Sequence, residues 1–314
     1  MNNNSLQNDT NSEDFINLTE VFNFILLKKK VVIIVTFIAA ILSVIYALSL
    51  PNIYKSEGFL MPFDPQDTLS SKISSLSPIS SLAGFSLPDV QISNSQEAVE
   101  RVKSFEFFSK SVLPNIRLED LMAAKSWDSR NNVINYDARK YNSQTKEWVK
   151  RNSSQQKIPS DQAAYRAYKR AVKISQDRKT TFVKISVEHK SPFIAKSWAD
   201  TIISKINQSM READQDLAKK SISYLNEIQE TNNIQSIREA TSLLLKQQMQ
   251  TLMLTSSNEN YVFKIIDPPI APERKSRPSR SQICILGTFL GSLVSLLIIF
   301  IQNLREKYKI KHQF

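Results

Sequence analysis

Few residues in this chain could do covalent or acid–base chemistry. Its 314 residues include one cysteine, Cys284, two histidines, His189 and His312, and four glycines, Gly58, Gly84, Gly287 and Gly291. A zinc site needs converging Cys and His ligands, and no such cluster occurs. A phosphate-cradling loop needs clustered glycines opening a helix, and neither G-x-x-x-x-G-K-[ST] nor G-x-G-x-x-G is present. These absences argue against kinase, ATPase and dinucleotide-dependent roles, and no cofactor is expected. His189 reads as an ordinary residue at a strand end. Carboxylates such as Asp214 with Asp216, or Glu227 with Glu230, are the remaining acid–base candidates. Glycoside hydrolysis would need two of them facing across a cleft. Their surroundings read instead as charged faces of long helices, so the chain is not expected to be an enzyme.

The elements that would position any functional group begin with two apolar stretches, residues 31–50 and 283–301. Each is about 20 residues, enough at about 1.5 Å per residue to cross a hydrocarbon core of about 30 Å. The reading is a membrane hairpin: a tail over 1–30, a first span over 31–50, a domain over 51–281, a second span over 282–301 and a tail over 302–314. Lys28, Lys29 and Lys30 precede the first span and only Lys55 follows closely, which places the termini in the cytoplasm and the domain outside. Arg274, Lys275, Arg277 and Arg280 before the second span balance Arg305, Lys307, Lys309 and Lys311 after it, so the first span carries the orientation. A cleaved signal is the rival for that span, with Ala47 and Ser49 as a small-x-small site. The acidic tail and the length of the apolar run fit a signal poorly. Ala39, Ser43 and Ala47 in the first span, and Gly287, Gly291 and Ser295 in the second, recur every four residues. Small residues at that spacing let membrane helices approach closely, whether on each other, on another protomer or on another membrane protein.

Residues 51–281 hold 34 Lys plus Arg against 25 Asp plus Glu, a net charge of +9. Solubility beside a membrane is the simpler account, and attraction of anionic glycans or lipid phosphates is the other. Nucleic acid is not an expected partner. Within the domain, 52–61 reads as a strand, and the serine-rich 68–95, with Pro78, Gly84 and Pro88, reads as a loop. A helix is predicted from Ser93 or Asn94 to Pro114, with Gln96 or Glu97 completing a capping box and Val99, Val102, Phe105, Phe108 and Val112 as its apolar stripe. Small hairpins fit 127–149. Pro159 and Ser160 introduce a helix carrying Tyr165, Tyr168 and Val172. Residues 180–188 alternate as a half-buried strand.

Ser191 and Pro192 then open the longest helical pattern, over about 192–230, with Ala195, Ala199, Ile202, Ile206, Met210, Ala213 and Leu217 as its stripe. About 40 residues would rise about 60 Å. A helix over 234–254 can return along it, and 261–266 reads as a strand. The predicted fold is α+β: two transmembrane helices flanking an α/β base whose first and last strands pair, with a long protruding helix. Its apolar surface exceeds what its partner helix can cover, which favours closed homo-oligomers.

Residues 267–280, with Pro268, Pro269, Pro272 and Pro278, form a stiff, extended connector into the second span. A connector of that kind can fix a membrane helix relative to the base. Its basic residues, Arg274, Lys275, Arg277 and Arg280, could meet lipid phosphate or glycan.

Taken together, residues 15–30 with the first span and PNIY at 51–54, the helix around 95–108, SPFIAKSWAD at 191–200, and above all 262–280 with the following span resemble the bacterial polysaccharide co-polymerases, specifically the O-antigen chain-length determinant (Wzz) family. The serine-rich stretch and the 127–151 insert look less typical of it. The resemblance implies a non-catalytic, oligomeric inner-membrane protein with a periplasmic domain. Such a protein sets the length of lipid-linked polysaccharide made by a separate O-antigen polymerase in the same membrane. The alternative is a two-span periplasmic sensor relying on a separate cytoplasmic output partner.

Overall fold

The computed structural model describes residues 28–63, 93–149, 158–231, 234–257 and 260–311. Residues 1–27 of the expected tail and 68–92 of the loop expected over 68–95 lie outside these, while 94 and 95 already belong to a helix. The chain forms two compact units, one of Asn52–Arg277 and one of the flanking segments Met1–Pro51 and Pro278–Phe314.

The flanking unit consists of α1 (Lys29–Ser49) and a C-terminal helix, Arg280–Lys311. Both are long and apolar enough to cross a membrane, the second over Arg280–Gln302. The C-terminal helix continues through most of what the sequence suggested as a separate tail, since nothing in 302–311 breaks it.

The other unit is built on a four-stranded antiparallel sheet. Its strands are β1 (Tyr54–Pro62), β6 (Val172–Gln176), β7 (Val183–His189) and β8 (Phe263–Asp267), in the order β6-β7-β1-β8. The expected pairing of first and last strands is present, with Leu60 opposite Ile265. Val183, Ile185 and Val187 turn one face of β7 into the core, as alternation requires. β6 was not anticipated. Val172 opens this strand instead of closing the preceding helix, α4 (Asp161–Ala171), and Ile174 continues its buried face. Ser160 caps α4 by accepting from the Ala163 amide at 3.4 Å.

The predicted helix from residue 94 to Pro114 is broken. α2 (Asn94–Lys103) stops where Ser104 is extended, and Ser104 Oγ accepts from the Phe107 amide at 3.1 Å to start a new turn. A π-turn and a 3₁₀ turn carry the chain on to Asn115. The break rotates the stripe: Phe107 and Phe108 are buried while Phe105 is exposed. The capping box does not form either, because the Ser93 hydroxyl lies 2.6 Å from the Ser95 hydroxyl and makes no cap bond. α3 (Leu118–Met122) follows, then two small hairpins, β2 (Ala124–Asp128) with β3 (Val133–Tyr136) and β4 (Tyr141–Asn142) with β5 (Glu147–Trp148).

α5 (Pro192–Thr231) is the uninterrupted 40-residue helix that the sequence suggests. Its first half packs on the sheet through Trp198, Ala199, Ile202, Ile203, Ile206 and Met210, all buried. Burial of each large side chain among these contributes about 1.5–3 kcal/mol. Beyond Met210 it buries Ala218 and runs beside α6 (Gln235–Ser257). Leu217, expected on the buried stripe, is exposed, because the sheet no longer lies against that stretch. The C-terminal helix Arg280–Lys311 is α7.

Candidate functional site

The proline-rich connector is held to the base at two places, Pro269–Ile270 and Ser276–Arg277, and β1 supplies the surface. Gly58 leaves a gap beside the sheet: a methyl group there would meet Pro269 Cγ at 3.1 Å, Ile203 Cδ1 at 3.2 Å and Ile185 Cγ2 at 3.3 Å. Pro269 therefore packs close against the glycine, and a side chain at that position would require a neighbour to give by a few tenths of an ångström. Two residues towards the start of β1, the Ser56 hydroxyl donates to the Ile270 carbonyl at 2.8 Å. At the entry to β1, the Ile53 amide donates to the Arg277 carbonyl at 2.9 Å, and the Ser276 amide donates to the Ile53 carbonyl at 2.8 Å. The connector thus runs antiparallel to β1 after β8 has ended. Proline cannot donate to a ladder, and the connector's amide donors to Ile53 are Ser276 and Arg277, between the prolines.

The proline-rich segment forms no strand of its own, and its ladder contact is a single β-bridge between Ile53 and Arg277. Pro268 and Pro272 flank the Ile270 contact, and Pro278 stands two residues before α7 begins. Of the basic residues, Arg274 is exposed and Lys275 is half-buried. Arg277 pairs with Glu188 at the end of β7, whose side chain is only 12% exposed, so this arginine joins the connector to the sheet. Arg280 is the first residue of α7.

Asn207, which sequence reasoning missed, fixes β8 to the long helix. Its Oδ1 accepts from the Val262 and Phe263 amides at 2.9 and 2.8 Å, and its Nδ2 donates to the Phe263 carbonyl at 3.1 Å. The available signal was an amide side chain adjoining an otherwise apolar stripe, between Ile206 and Met210. Asp214, read from sequence as part of a solvated face, accepts from the Tyr261 hydroxyl at 2.7 Å. Asp216, Glu227 and Glu230 are exposed on α5. Among the described residues no group of three His, Cys, Asp or Glu could hold a metal ion.

His189 is buried at the end of β7, its ring 4.9 Å from that of Trp198. The Ser191 amide donates to Nδ1 at 3.0 Å, so the proton sits on Nε2, which donates to the Asp120 carbonyl at 3.0 Å. Burial holds its pKa below the usual imidazole value.

In the flanking unit the two small-residue faces meet each other. A methyl group at Gly287 would collide with the Ser43 Cβ, and one at Gly291 with the Ala39 Cβ while lying 3.9 Å from the Thr36 Cα. The Lys28 ammonium donates to Gln302 Oε1 at 3.4 Å, in the same antiparallel register. Ala47 and Ser295 are buried within the pair. Small residues at four-residue spacing permit this close backbone approach.

Residues 14–105 match the family described as Wzz, chain length determinant protein. Among solved structures, the chain is similar to a full-length bacterial polysaccharide co-polymerase, with a TM-score of 0.41 and 14% identity over 93% of this chain and 99% of that one. It is also similar to a fragment of WzzB, the polysaccharide co-polymerase from Salmonella Typhimurium, with a TM-score of 0.30 and 15% identity over 72% of this chain and 100% of that one. No curated protein matches the chain.

Proposed function

We propose that the protein is a non-catalytic regulator of chain length in the polymerisation of lipopolysaccharide O-antigen or a related surface polysaccharide. The observation that carries this is the chain-length-determinant match over residues 14–105, a stretch that takes in α1, β1 and α2. In this reading the protein sits in a bacterial inner membrane with both termini cytoplasmic and residues 51–281 periplasmic. Lysines 28–30 before the first span support that orientation. It acts as a homo-oligomeric scaffold for an O-antigen polymerase in the same membrane. Leu217, Tyr224, Leu243, Leu244, Met249 and Met253 stay exposed along α5 and α6, apolar surface that assembly would cover.

The docked connector suits this role, because hydrogen bonds and the Gly58 gap give the chain leading to the second span a defined path along the base. The paired small-residue faces bear on how a polymerase is engaged. Gly287 and Gly291 face α1, so a partner in the membrane would meet the outer faces of the hairpin. Deleting the gene should convert a modal distribution of glycan lengths into an unregulated one, read as a ladder on a gel. An unchanged ladder refutes the proposal.

A further inference from the structure

Asp120, Arg170, His189, Lys190, Trp198 and Arg277 are among the residues lining a cleft of about 330 Å³, where the end of β7 meets α3, α4 and α5. Its acceptors are already engaged. The Glu188 carboxylate holds Arg277. The Asp120 carboxylate accepts from the Tyr136 hydroxyl at 2.5 Å and lies 3.9 Å from Arg117, while its carbonyl receives the His189 Nε2 proton. With Nδ1 occupied by the Ser191 amide, the imidazole has no nitrogen left for a ligand.

The donors of the cleft, in contrast, are available. Trp198 is 5% exposed, and its indole N–H has no hydrogen-bond partner among the described residues. Arg170 is exposed at the end of α4 and makes no ion pair or hydrogen bond among the described residues. Lys190 donates to the Ala124 carbonyl, which leaves two of its three N–H groups. Burial of this lysine, with Lys140 nearby, lowers its pKa. An unused neutral donor beside two cations selects a ligand that is anionic and accepts several hydrogen bonds.

We propose that this cleft binds a phosphate group, carried either on a sugar or on a lipid headgroup, through Arg170, Lys190 and the Trp198 indole. The proposal stands apart from the chain-length reading, since phosphate affinity and glycan length are measured independently. The test is calorimetric titration of the full chain in detergent, at constant ionic strength, with inorganic phosphate, glucose 1-phosphate and dihexanoyl phosphatidic acid in turn. Saturable binding is expected, weakened about tenfold or more by Arg170→Gln, as loss of one charge-assisted hydrogen bond implies. Trp198→Phe should weaken it several-fold, and Arg178→Gln, exposed in the turn between β6 and β7 and outside the cleft, should leave it unchanged. Arg170 is exposed, so its variant carries the test even if the tryptophan variant fails to fold. Tighter binding of the sugar phosphate than of the lipid assigns a glycan-borne group, and the reverse order assigns a headgroup. Non-saturable uptake, or equal loss in Arg170→Gln and Arg178→Gln, overturns the site in favour of general charge attraction.

Discussion

The sharpest perturbation available is a single methyl group at Gly58. Alanine is normally the better residue there, because glycine in a strand costs about 0.5–1 kcal/mol in backbone entropy. Here the added Cβ meets three elements at once, at 3.1 Å from Pro269, 3.2 Å from Ile203 and 3.3 Å from Ile185. The Ile203 Cδ1 is the end of a flexible side chain and can rotate away. The proline ring and the β-branched carbon of Ile185 cannot. Overpacking of this kind costs about 1–3 kcal/mol, so Gly58→Ala should lose about 1 kcal/mol net. For a unit of this size that lowers Tm by about 2–4 °C. The connector is the element freest to yield, so hydrogen exchange at the Ser276 and Arg277 amides, both bonded to Ile53, should accelerate more than exchange in β7. Pro269→Ala should relieve part of the penalty, with a coupling of about 0.5–1 kcal/mol in a double-mutant cycle. A Gly58→Ala protein at least as stable as wild type, or a loss indifferent to Pro269→Ala, would refute the claim that the connector is seated by this gap.

Three further outcomes follow from the same geometry. Arg277→Ala should weaken connector docking by about 1 kcal/mol, a modest value because the guanidinium is half exposed, and should raise exchange across 270–277. In a Cys284→Ser background, Lys28→Cys with Gln302→Cys should be joined by a short bis-maleimide reagent, and Gly291→Leu should reduce that cross-linking by forcing α1 and α7 apart. His189 gives a pH dependence. Its folded pKa lies below the ordinary 6.5, so the unfolded chain binds the proton first; the resulting stability is complete above about pH 6.5 and falls as pH drops towards the folded value. His189→Gln should flatten that segment of the stability–pH curve measured by thermal unfolding.

What could be read in the sequence was set by periodicity and by chain-breaking residues. The 40-residue helix follows from a Ser-Pro start, a repeating apolar stripe and no internal glycine or proline, and β7 follows from strict alternation. Local competition was harder to see. Ser104 breaks a helix whose stripe continues through it, because its hydroxyl offers the next turn a cap, an alternative that apolar spacing does not register. Val172 ends one pattern and begins another, so a short strand disappeared into the preceding helix. The proline segment reads from sequence as a stiff connector. Its attachment to β1 depends on Gly58 and on amides lying between prolines, and that register comes from tertiary packing. The cleft beside His189 gathers residues from positions 53 to 277, so no local spacing announces it.

The bridge between Ile53 and Arg277 also has a mechanical consequence. The chain enters and leaves the base on adjacent antiparallel segments at the same end. Force that separates the two entry points would open the contacts one after another, beginning at Ile53 and proceeding to Ser56 and then to the Pro269 seat. Such a fastening yields as a zipper does, at low load and in steps, whereas segments pulled in shear would resist together. The base could therefore lengthen the second tether by increments while its sheet and long helix stay folded.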